Sequence, residues 1–266
     1  MPLTVAVKVW GELACFTRPE LKVERLSYPV ITPSAARGVL DAILFRPQMR
    51  WHVRRVTVLD PWWLGPGEAR QPYRLIGVRR NEIQGKIAPR TVAGWMATPS
   101  TCVPYLVDSA GRDGAQGQNR TQRNTLLLRD VAYLIEASPI LTERANLPRT
   151  KPCSENEPQG ADTQVKYVAM LQRRVQKGQC FHRPYLGCRE FACNFGEPDG
   201  SERAVPWTEN LGVMLYDIQF DAQEGNRPGF FDARVHNGIL HCDTDGFGPN
   251  GEPPVAVFGW YKDNVT

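Results

Sequence analysis

The sequence predicts an α+β protein: a ferredoxin-like (RRM-like) domain with an inserted β-hairpin, followed by an antiparallel β-sheet extension. Up to residue 195, segments of strand and helix type follow one another as strand, helix, strand, extra strands, strand, helix, strand. From residue 196 onward the chain carries β-type stretches without a clear helix. The charge balance also changes sign at this boundary. We therefore expect two parts, residues 1–195 and residues 196–266.

The first half of the domain opens with a strand and a helix. Residues 4–10 are rich in β-branched side chains, which favours a strand. Thr32 and Pro33 are typical of a helix start, because Thr is a good N-cap and Pro fits the first helical position. Residues 51–59 and 73–80 predict two further strands. The apolar stripe of the first helix would consist of Val39, Leu40 and Ile43.

The second half is predicted to alternate loops with regular elements. Residues 97–122 are rich in Gly, Ser, Pro and Asp and predict a loop, and 126–135 returns to strand character. A second loop over 147–160 precedes a helix over 162–177, and another strand is expected at 189–195. The β-type stretches of the extension are 212–220, 230–235 and 255–261.

The distribution of charge favours a nucleic-acid partner. Residues 1–195 hold 28 basic and 16 acidic side chains, a net charge of +12, whereas residues 196–266 hold 4 and 12, a net charge of −8. Of the 32 basic residues, 25 are Arg, whose guanidinium groups match phosphate geometry and stack on bases. An alternative remains open, in which these arginines pair with the acidic extension. Composition does not separate RNA from DNA.

The cysteines and the N-terminal residues predict a cytoplasmic protein. The seven cysteines are odd in number and irregularly spaced, which favours reduced thiols. The first residues lack the basic and apolar regions of a secretory signal. The sequence also contains no run of about 18 apolar residues, so we expect no membrane span.

Short motifs give no reason to expect a cofactor or a metal. Residues 246–251 match G-x-G-x-x-G, but two prolines and a β-type stretch follow in place of a helix, which indicates a turn. Residues 243–246 begin like a calcium loop, but the later ligands do not fall at EF-hand spacing. A third group of possible metal ligands consists of Cys180, His182, Cys188 and Cys193. These residues lack the paired C-x-x-C spacing of structural zinc sites, which predicts free thiols.

The helix over 162–177 carries the residues best suited to chemistry. Its buried side would consist of Val165, Val168, Leu171 and Val175. Another face would carry Lys166, Arg173 and Lys177, with Tyr167 and Arg174 beside it. Such a face is often only solvated. A Tyr next to a Lys on a basic surface is also suited to RNA cleavage, in which a 2′-hydroxyl loses a proton, a phosphorane is stabilised and a 5′-oxygen gains a proton. None of these steps strictly requires a metal.

Six sequence blocks carry a resemblance to a known family, and they are residues 14–20, 22–28, 32–38, 79–82, 123–130 and 178–191. In this order they resemble the Cas5 family of subtype I-C CRISPR systems, the variant that processes pre-crRNA, from about Val9 to Phe220. The resemblance implies an RRM-like domain of the RAMP superfamily and metal-independent cleavage at the base of the repeat hairpin. It also implies that the 5′ handle of the crRNA is retained in a Cascade-type complex.

The resemblance also implies a set of catalytic positions. The family's ring residue near the end of the first helix falls on Leu44, and its Lys–His pair falls on Lys166 and Tyr167. Leu44 cannot transfer a proton, and an unperturbed Tyr has a pKa of about 10, so His182 and Tyr28 are further candidates. We expect Lys166 to stabilise the phosphorane, Tyr167 to act as general acid or base, and His182 to take part.

The resemblance and the basic composition together define the expected partners: CRISPR repeat RNA, other subunits of a Cascade-type complex, and duplex DNA bound without sequence preference. A second hypothesis is a non-catalytic subunit that caps the crRNA 5′ end, and Leu44 favours it. The candidates for contacts with RNA phosphates and bases are Arg37, Arg50, His52, Arg79, Arg80, Arg123, Arg173, Arg183 and Arg189.

Overall fold

A mostly antiparallel β-sheet with few helices forms the fold. The computed structural model describes residues 3–21, 23–61, 71–83, 87–103, 120–146, 162–220, 225–246, 248–249 and 251–259. The strands of this part are β1 (Val5–Ala14), β2 (Arg25–Leu26), β3 (Met49–Val58), β4 (Leu75–Ile83), β5 (Arg120–Leu141), β6 (Asn194–Gly196), β7 (Glu209–Gln219), β8 (Arg227–His236) and β9 (Ile239–His241). The helices are α1 (Pro33–Ile43), α2 (Pro89–Ala97) and α3 (Gln164–Gln176).

The long strand β5 organises the sheet. The main strand order is β6-β1-β5-β3-β9-β8-β7. The second half of β5 lies antiparallel between β1 and β3, and its first half pairs with β4 as a two-stranded ribbon. The short strand β2 runs parallel to β5. Along the chain, α1 connects β1 to β3 and α3 connects β5 to β6, so both helices are crossover elements of the same four strands.

The local signals at the start of the chain are confirmed by the structure. The first strand extends four residues past Trp10, to Ala14. The hydroxyl of Thr32 accepts a hydrogen bond from the backbone N–H of Ala35 at 3.2 Å, which is the expected N-cap. The predicted apolar stripe of α1 is fully buried. The strands expected at 51–59 and 73–80 correspond to β3 and β4.

Other boundaries differ from the prediction. Helix α2 was not expected, and because none of its residues is buried, it lacks the apolar stripe that identifies a helix from sequence. The strand expected at 189–195 is reduced to β6. The first residues of β5 fall inside the loop predicted for 97–122, most of which lies outside the described residues, as does the loop predicted for 147–160. At 255–259, Phe258 makes one isolated bridge to Phe230.

The acidic C-terminal part continues the sheet at its β3 edge. Strands β7 and β8 form an antiparallel pair, and β9 pairs with both β8 and β3. Ion pairs also join the acidic C-terminal part to the part of the chain that precedes it. Asp217 of β7, whose side chain is 6% exposed, accepts hydrogen bonds from Arg37 of α1 and Arg50 of β3, each at 2.6 Å. In the described part of the chain, no helix has the length and apolar character needed to cross a membrane.

Replacing Asp217 with Asn is expected to lower the free energy of unfolding by about 2 kcal/mol, because two guanidinium groups lose their shared carboxylate. The effect should fall below the 3–5 kcal/mol of a fully buried pair, since Arg50 is half-exposed. Urea unfolding of the two proteins measures the difference. The matched control is Asp232→Asn, whose pair with Arg234 is exposed on both sides and should be worth less than about 0.5 kcal/mol. Equal effects of the two substitutions would contradict the prediction.

Candidate nucleic-acid interface

A groove lies between the C-terminal end of α1 and the chain that follows α3. Its volume is about 860 Å³. We call it the α1–α3 groove. Its aromatic and basic lining consists of Phe45, Phe181, His182, Arg183, Tyr185 and Arg189, and Asp41 and Glu190 also line it.

Hydrogen bonds to the last turn of α1 hold the groove together. The backbone N–H groups of Phe181 and His182 both donate to the carbonyl of Ala42, each at 2.9 Å. The guanidinium of Arg174, in the last turn of α3, donates to the carbonyl of Ile43 at 2.5 Å. The last carbonyls of a helix have no partner within the helix, so these donors cap α1. The capping fixes the segment after α3 against the end of α1.

Exposed aromatic rings line the groove. The rings of Phe45 and Phe181 stack with centroids 6.5 Å apart, and the ring of His182 meets the edge of Phe181 at 4.3 Å. Phe45, Phe181 and Tyr185 are 53%, 58% and 42% exposed. Exposed rings beside cationic groups are typical of surfaces on which unpaired bases stack.

Unpaired arginines supply positive charge at the same place. Arg183 and Arg189 are exposed and have no ion-pair partner among the residues that the structure describes. Burial lowers the pKa of the nearby Arg174, and the charges of Arg46 and Arg173 lower it further. The end of α3 therefore carries a concentration of like charge, which a polyanion would relieve.

The predicted catalytic residues do not lie in one cluster. His182 is exposed in the α1–α3 groove. Lys166 lies in the first turn of α3 and forms an ion pair with the buried Asp162 at 3.1 Å. The rise of a helix between Lys166 and Gln176 is about 15 Å, so Lys166 and His182 lie at opposite ends of α3. The ring of Tyr167 is 1% exposed and belongs to the core.

The buried side of α3 is therefore rotated relative to the prediction. Val168, Leu171 and Val175 are buried as expected, but Val165 is 66% exposed and Tyr167 takes its place in the core. A larger ring buries more apolar area than Val does, which favours this orientation. The prediction for Val165 is wrong, and the catalytic role of Tyr167 stays a prediction that this conformation disfavours.

Two further positions considered for the site are also enclosed, and Leu44 carries no group that transfers a proton. Leu44 is fully buried, and its carbonyl accepts a hydrogen bond from the indole N–H of Trp51 at 3.2 Å. Tyr28 is 2% exposed, and its hydroxyl accepts from the backbone N–H of Leu215 at 3.3 Å. Among the residues considered for proton transfer, His182 is thus the one that solvent and RNA can reach.

Several predicted RNA contacts are engaged in ion pairs. Arg37 and Arg50 share Asp217, which agrees with the alternative that arginines pair with the acidic extension. Arg80 binds both Glu82 and Glu190, and Arg123 lies 4.0 Å from Glu82. In such groups part of the guanidinium is already bound to a carboxylate, so fewer N–H donors remain for a phosphate. The predicted contacts that are exposed and lack an ion-pair partner within the described ranges are Arg79, Arg173, Arg183 and Arg189.

One further cluster has the donor atoms for a cation. Ligand atoms of His52, Asp243 and Asp245 lie within 4.8 Å of one another. Arg54, however, donates to Asp243 at 2.6 Å and approaches Asp245 at 3.5 Å, so a positive charge already lies between the two carboxylates. Burial lowers the pKa of His52, and Arg54 lowers it further. A metal would have to displace Arg54, and the cluster is better described as an ion-pair network that joins β3 to the C-terminal part.

The aromatic part of the groove was not identified from the sequence. Phe45 directly follows Leu44, and Phe181 and Tyr185 flank His182 and Arg183. Aromatic residues interleaved with basic ones in the segment 181–189 were the available signal. Their exposure is set by the hydrogen bonds to Ala42, which no local pattern reveals.

Gly187 shapes the backbone of this segment, and replacing it with Ala is expected to destabilise the protein by about 3 kcal/mol. Gly187 has a φ of 84°, and an added Cβ would collide with the carbonyl of Cys15. Thermal unfolding at fixed pH measures the loss. The control is Gly178→Ala, which has a φ of 62° but open space around the Cβ position and should cost about 1 kcal/mol. Similar losses for both variants would show that the close approach to Cys15 is unimportant.

An antiparallel sheet with a groove of exposed rings, and of arginines without an ion-pair partner in the described part of the chain, is typical of RNA-binding proteins. The model of the CRISPR-associated Cas5 family, in its Cas5d form, matches residues 4–243. The chain therefore belongs to the CRISPR-associated Cas5 family and is of the Cas5d type.

Two curated relatives and two solved structures support this assignment. A protein of Mannheimia succiniciproducens named CRISPR pre-crRNA endoribonuclease Cas5d is 38% identical and covers 89% of this chain and 93% of its own. A protein of Thermus thermophilus with the same name is 38% identical, and the match covers 90% of this chain and 91% of that protein. A crystal structure of a CRISPR-associated protein superposes with a TM-score of 0.54 at 20% identity, and the superposition covers 96% of this chain and 97% of that chain. The crystal structure of a functionally uncharacterized protein from Streptococcus mutans also gives a TM-score of 0.54, at 18% identity. This superposition likewise covers 96% of this chain and 97% of that chain. At these identities the structures support the fold alone.

Proposed function

We propose that the chain is a pre-crRNA endoribonuclease that cleaves the CRISPR repeat hairpin and holds the 5′ handle of the product in a type I-C Cascade-type complex. Two relatives with 38% identity over about nine-tenths of the chain carry the name of this activity. The observation that carries the proposal is the exposed His182 between exposed rings and unpaired arginines in the α1–α3 groove. These are the groups that bind single-stranded RNA and move a proton.

The proposed reaction is attack by a 2′-hydroxyl on the adjacent phosphorus. His182 takes the proton of the attacking 2′-hydroxyl, and a proton from solvent water goes to the leaving 5′-oxygen. Arg183 and Arg189 stabilise the charge of the phosphorane. The rings of Phe45 and Phe181 hold the flanking bases unstacked from the hairpin. The P–O bond to the 5′-oxygen breaks as the new P–O bond forms. The products are a 2′,3′-cyclic phosphate and a 5′-hydroxyl.

Lys166 and Tyr167 have more distant roles in this proposal. Lys166 is part-exposed, paired with Asp162 and at the opposite end of α3 from His182, so in this proposal it contacts RNA away from the phosphorane. Tyr167 holds α3 against the sheet. Proton transfer by Tyr167 would require the ring to leave the core, at a cost of several kcal/mol.

The finer description of the fold is also part of the proposal. The strand order β6-β1-β5-β3, with α1 and α3 as crossovers, supports a ferredoxin-like unit over residues 1–195. Residues 196–266 are then an extension that pairs with the β3 edge of that unit. The basic surface of the unit is suited to crRNA and, without sequence preference, to duplex DNA.

One experiment tests the proposed reaction. End-labelled repeat RNA is incubated with an excess of protein in EDTA, in parallel with Mg²⁺, and the product ends are identified. Cleavage at one position in EDTA with a cyclic phosphate supports the proposal, and Lys166→Ala is expected to retain part of the activity. Cleavage that requires the added metal would refute the mechanism.

A second candidate function is a non-catalytic subunit that binds the crRNA 5′ handle. The burial of Leu44 and Tyr167 favours it, because two of the three positions implied by the family resemblance do not present a proton-transfer group at the surface. Tight binding of the repeat RNA without cleavage at high protein concentration would establish this alternative.

A further inference from the structure

Two cysteines lie together where the groove segment crosses the end of β1. The backbone N–H of Cys15 donates to the carbonyl of Leu186 at 3.1 Å. The hydroxyl of Thr17 lies 3.6 Å from the sulfur of Cys15 and 4.0 Å from the sulfur of Cys188. The sulfur of Cys188 also lies 3.6 Å from the carbonyl oxygen of Cys15. Both sulfurs are thus held around a single hydroxyl.

The two thiols differ in their surroundings. Cys15 is 1% exposed, whereas Cys188 is half-buried and lies 3.2 Å from the guanidinium of Arg25. A hydrogen bond from Cys15, together with the charge of Arg25, lowers the pKa of Cys188. The same hydrogen bond and burial raise the pKa of Cys15. The side chain of Cys188 is itself partly exposed to solvent, and a cavity of about 290 Å³ lined by Cys15, Thr17 and Gly187 adjoins the pair.

We propose that Cys188 and Cys15 form a peroxide-reactive dithiol that oxidises to a disulfide. The Cys188 thiolate attacks one oxygen of hydrogen peroxide, which breaks the O–O bond and gives a sulfenic acid and hydroxide. The thiol of Cys15 then attacks the sulfenic sulfur, the S–S bond forms, and the departing hydroxide takes the proton of Cys15 as water. In total, two thiols and one peroxide give one disulfide and two waters.

Arg25 connects this pair to the rest of the interface. Besides Cys188, Arg25 binds the carboxylate of Glu190 at 3.0 Å, and Glu190 binds Arg80 at 2.8 Å. Disulfide formation removes the negative charge of the thiolate beside Arg25 and ties residue 188 to the end of β1. The proposal does not depend on the endoribonuclease activity.

Peptide mapping of the full chain tests the proposal. The reduced protein is treated with a small excess of hydrogen peroxide at pH 7, blocked with N-ethylmaleimide and digested. We expect a Cys15–Cys188 cross-linked peptide that dithiothreitol removes. In Cys15→Ser, a dimedone adduct should appear on Cys188 instead, because no second thiol resolves the sulfenic acid. In Arg25→Gln the disulfide should form several-fold more slowly, since less of Cys188 is thiolate.

The matched control is Cys180→Ser, which removes an exposed cysteine in the same segment and should leave the disulfide and its rate unchanged. The wild-type mapping requires no variant, so misfolding of a variant does not affect it. Oxidation of Cys102 and Cys180 while Cys15 and Cys188 remain reduced would overturn the proposal. A disulfide between Cys188 and any other cysteine would overturn it as well.

Discussion

Replacing His182 with Ala is expected to lower the single-turnover rate of repeat-RNA cleavage by about 100-fold or more, the ordinary contribution of a positioned proton-transfer group. Binding of the RNA should change little, because Arg183, Arg189 and the aromatic rings of the groove remain. The fold should also persist, since the hydrogen bond from residue 182 to Ala42 uses the backbone N–H. The measurement is a single-turnover time course with labelled RNA, combined with a filter-binding isotherm.

The matched control for this experiment is His236→Ala. His236 is exposed at the end of β8, outside the α1–α3 groove, and its removal should leave the rate unchanged. Wild-type cleavage by His182→Ala would show that the groove histidine transfers no proton. A parallel loss of binding and cleavage would assign His182 to RNA binding alone.

Removing both unpaired arginines of the groove should weaken RNA binding strongly. For the double variant Arg183→Ala and Arg189→Ala we expect the Kd for repeat RNA to rise about 30-fold, corresponding to about 2 kcal/mol for two exposed charge pairs of about 1 kcal/mol each. The slope of log K against log salt should also become shallower by about 1.4, since each phosphate contact to a single strand contributes about 0.7. Equilibrium binding at several salt concentrations gives both quantities.

The control double variant is Arg129→Ala and Arg234→Ala. Both side chains are exposed and form ion pairs with acidic neighbours outside the groove, so the net charge changes equally. We expect less than a threefold change in Kd and a nearly unchanged salt slope. If the two double variants weakened binding equally, the affinity would depend on total charge and not on the α1–α3 groove.

Local sequence signals predicted those elements of the fold that are set by residues close to one another in the sequence. The Thr32 cap and the apolar stripe of α1 are set within one helix, and both are confirmed. The extent of β5 depends on four partners, β1, β2, β3 and β4, that are distant in sequence, so its first residues were assigned to a loop. Helix α2 has no buried residue, so its sequence lacks the periodic apolar pattern from which a helix is predicted.

The site could be predicted only in part for the same reason. His182, Arg183 and Arg189 lie in one short segment, so their proximity follows from the sequence. The pairing of Arg37 and Arg50 with Asp217 joins residues far apart in the chain, and only the fold brings them together. The orientation of Tyr167 depended on a rotation of α3 that places Val165 in solvent, and helix periodicity alone allowed either residue to be buried.

The central claim is that the scissile phosphate of the repeat lies in the α1–α3 groove. The direct test uses repeat RNA with a 2′-deoxy sugar at the cleavage position, which blocks attack, and 4-thiouridine beside it. After irradiation, the cross-linked peptide is identified by mass spectrometry. We predict cross-links within residues 181–189 or at Phe45. Cross-links confined to the first turn of α3 or to the ribbon of β4 and β5, with none in the groove, would contradict the claim.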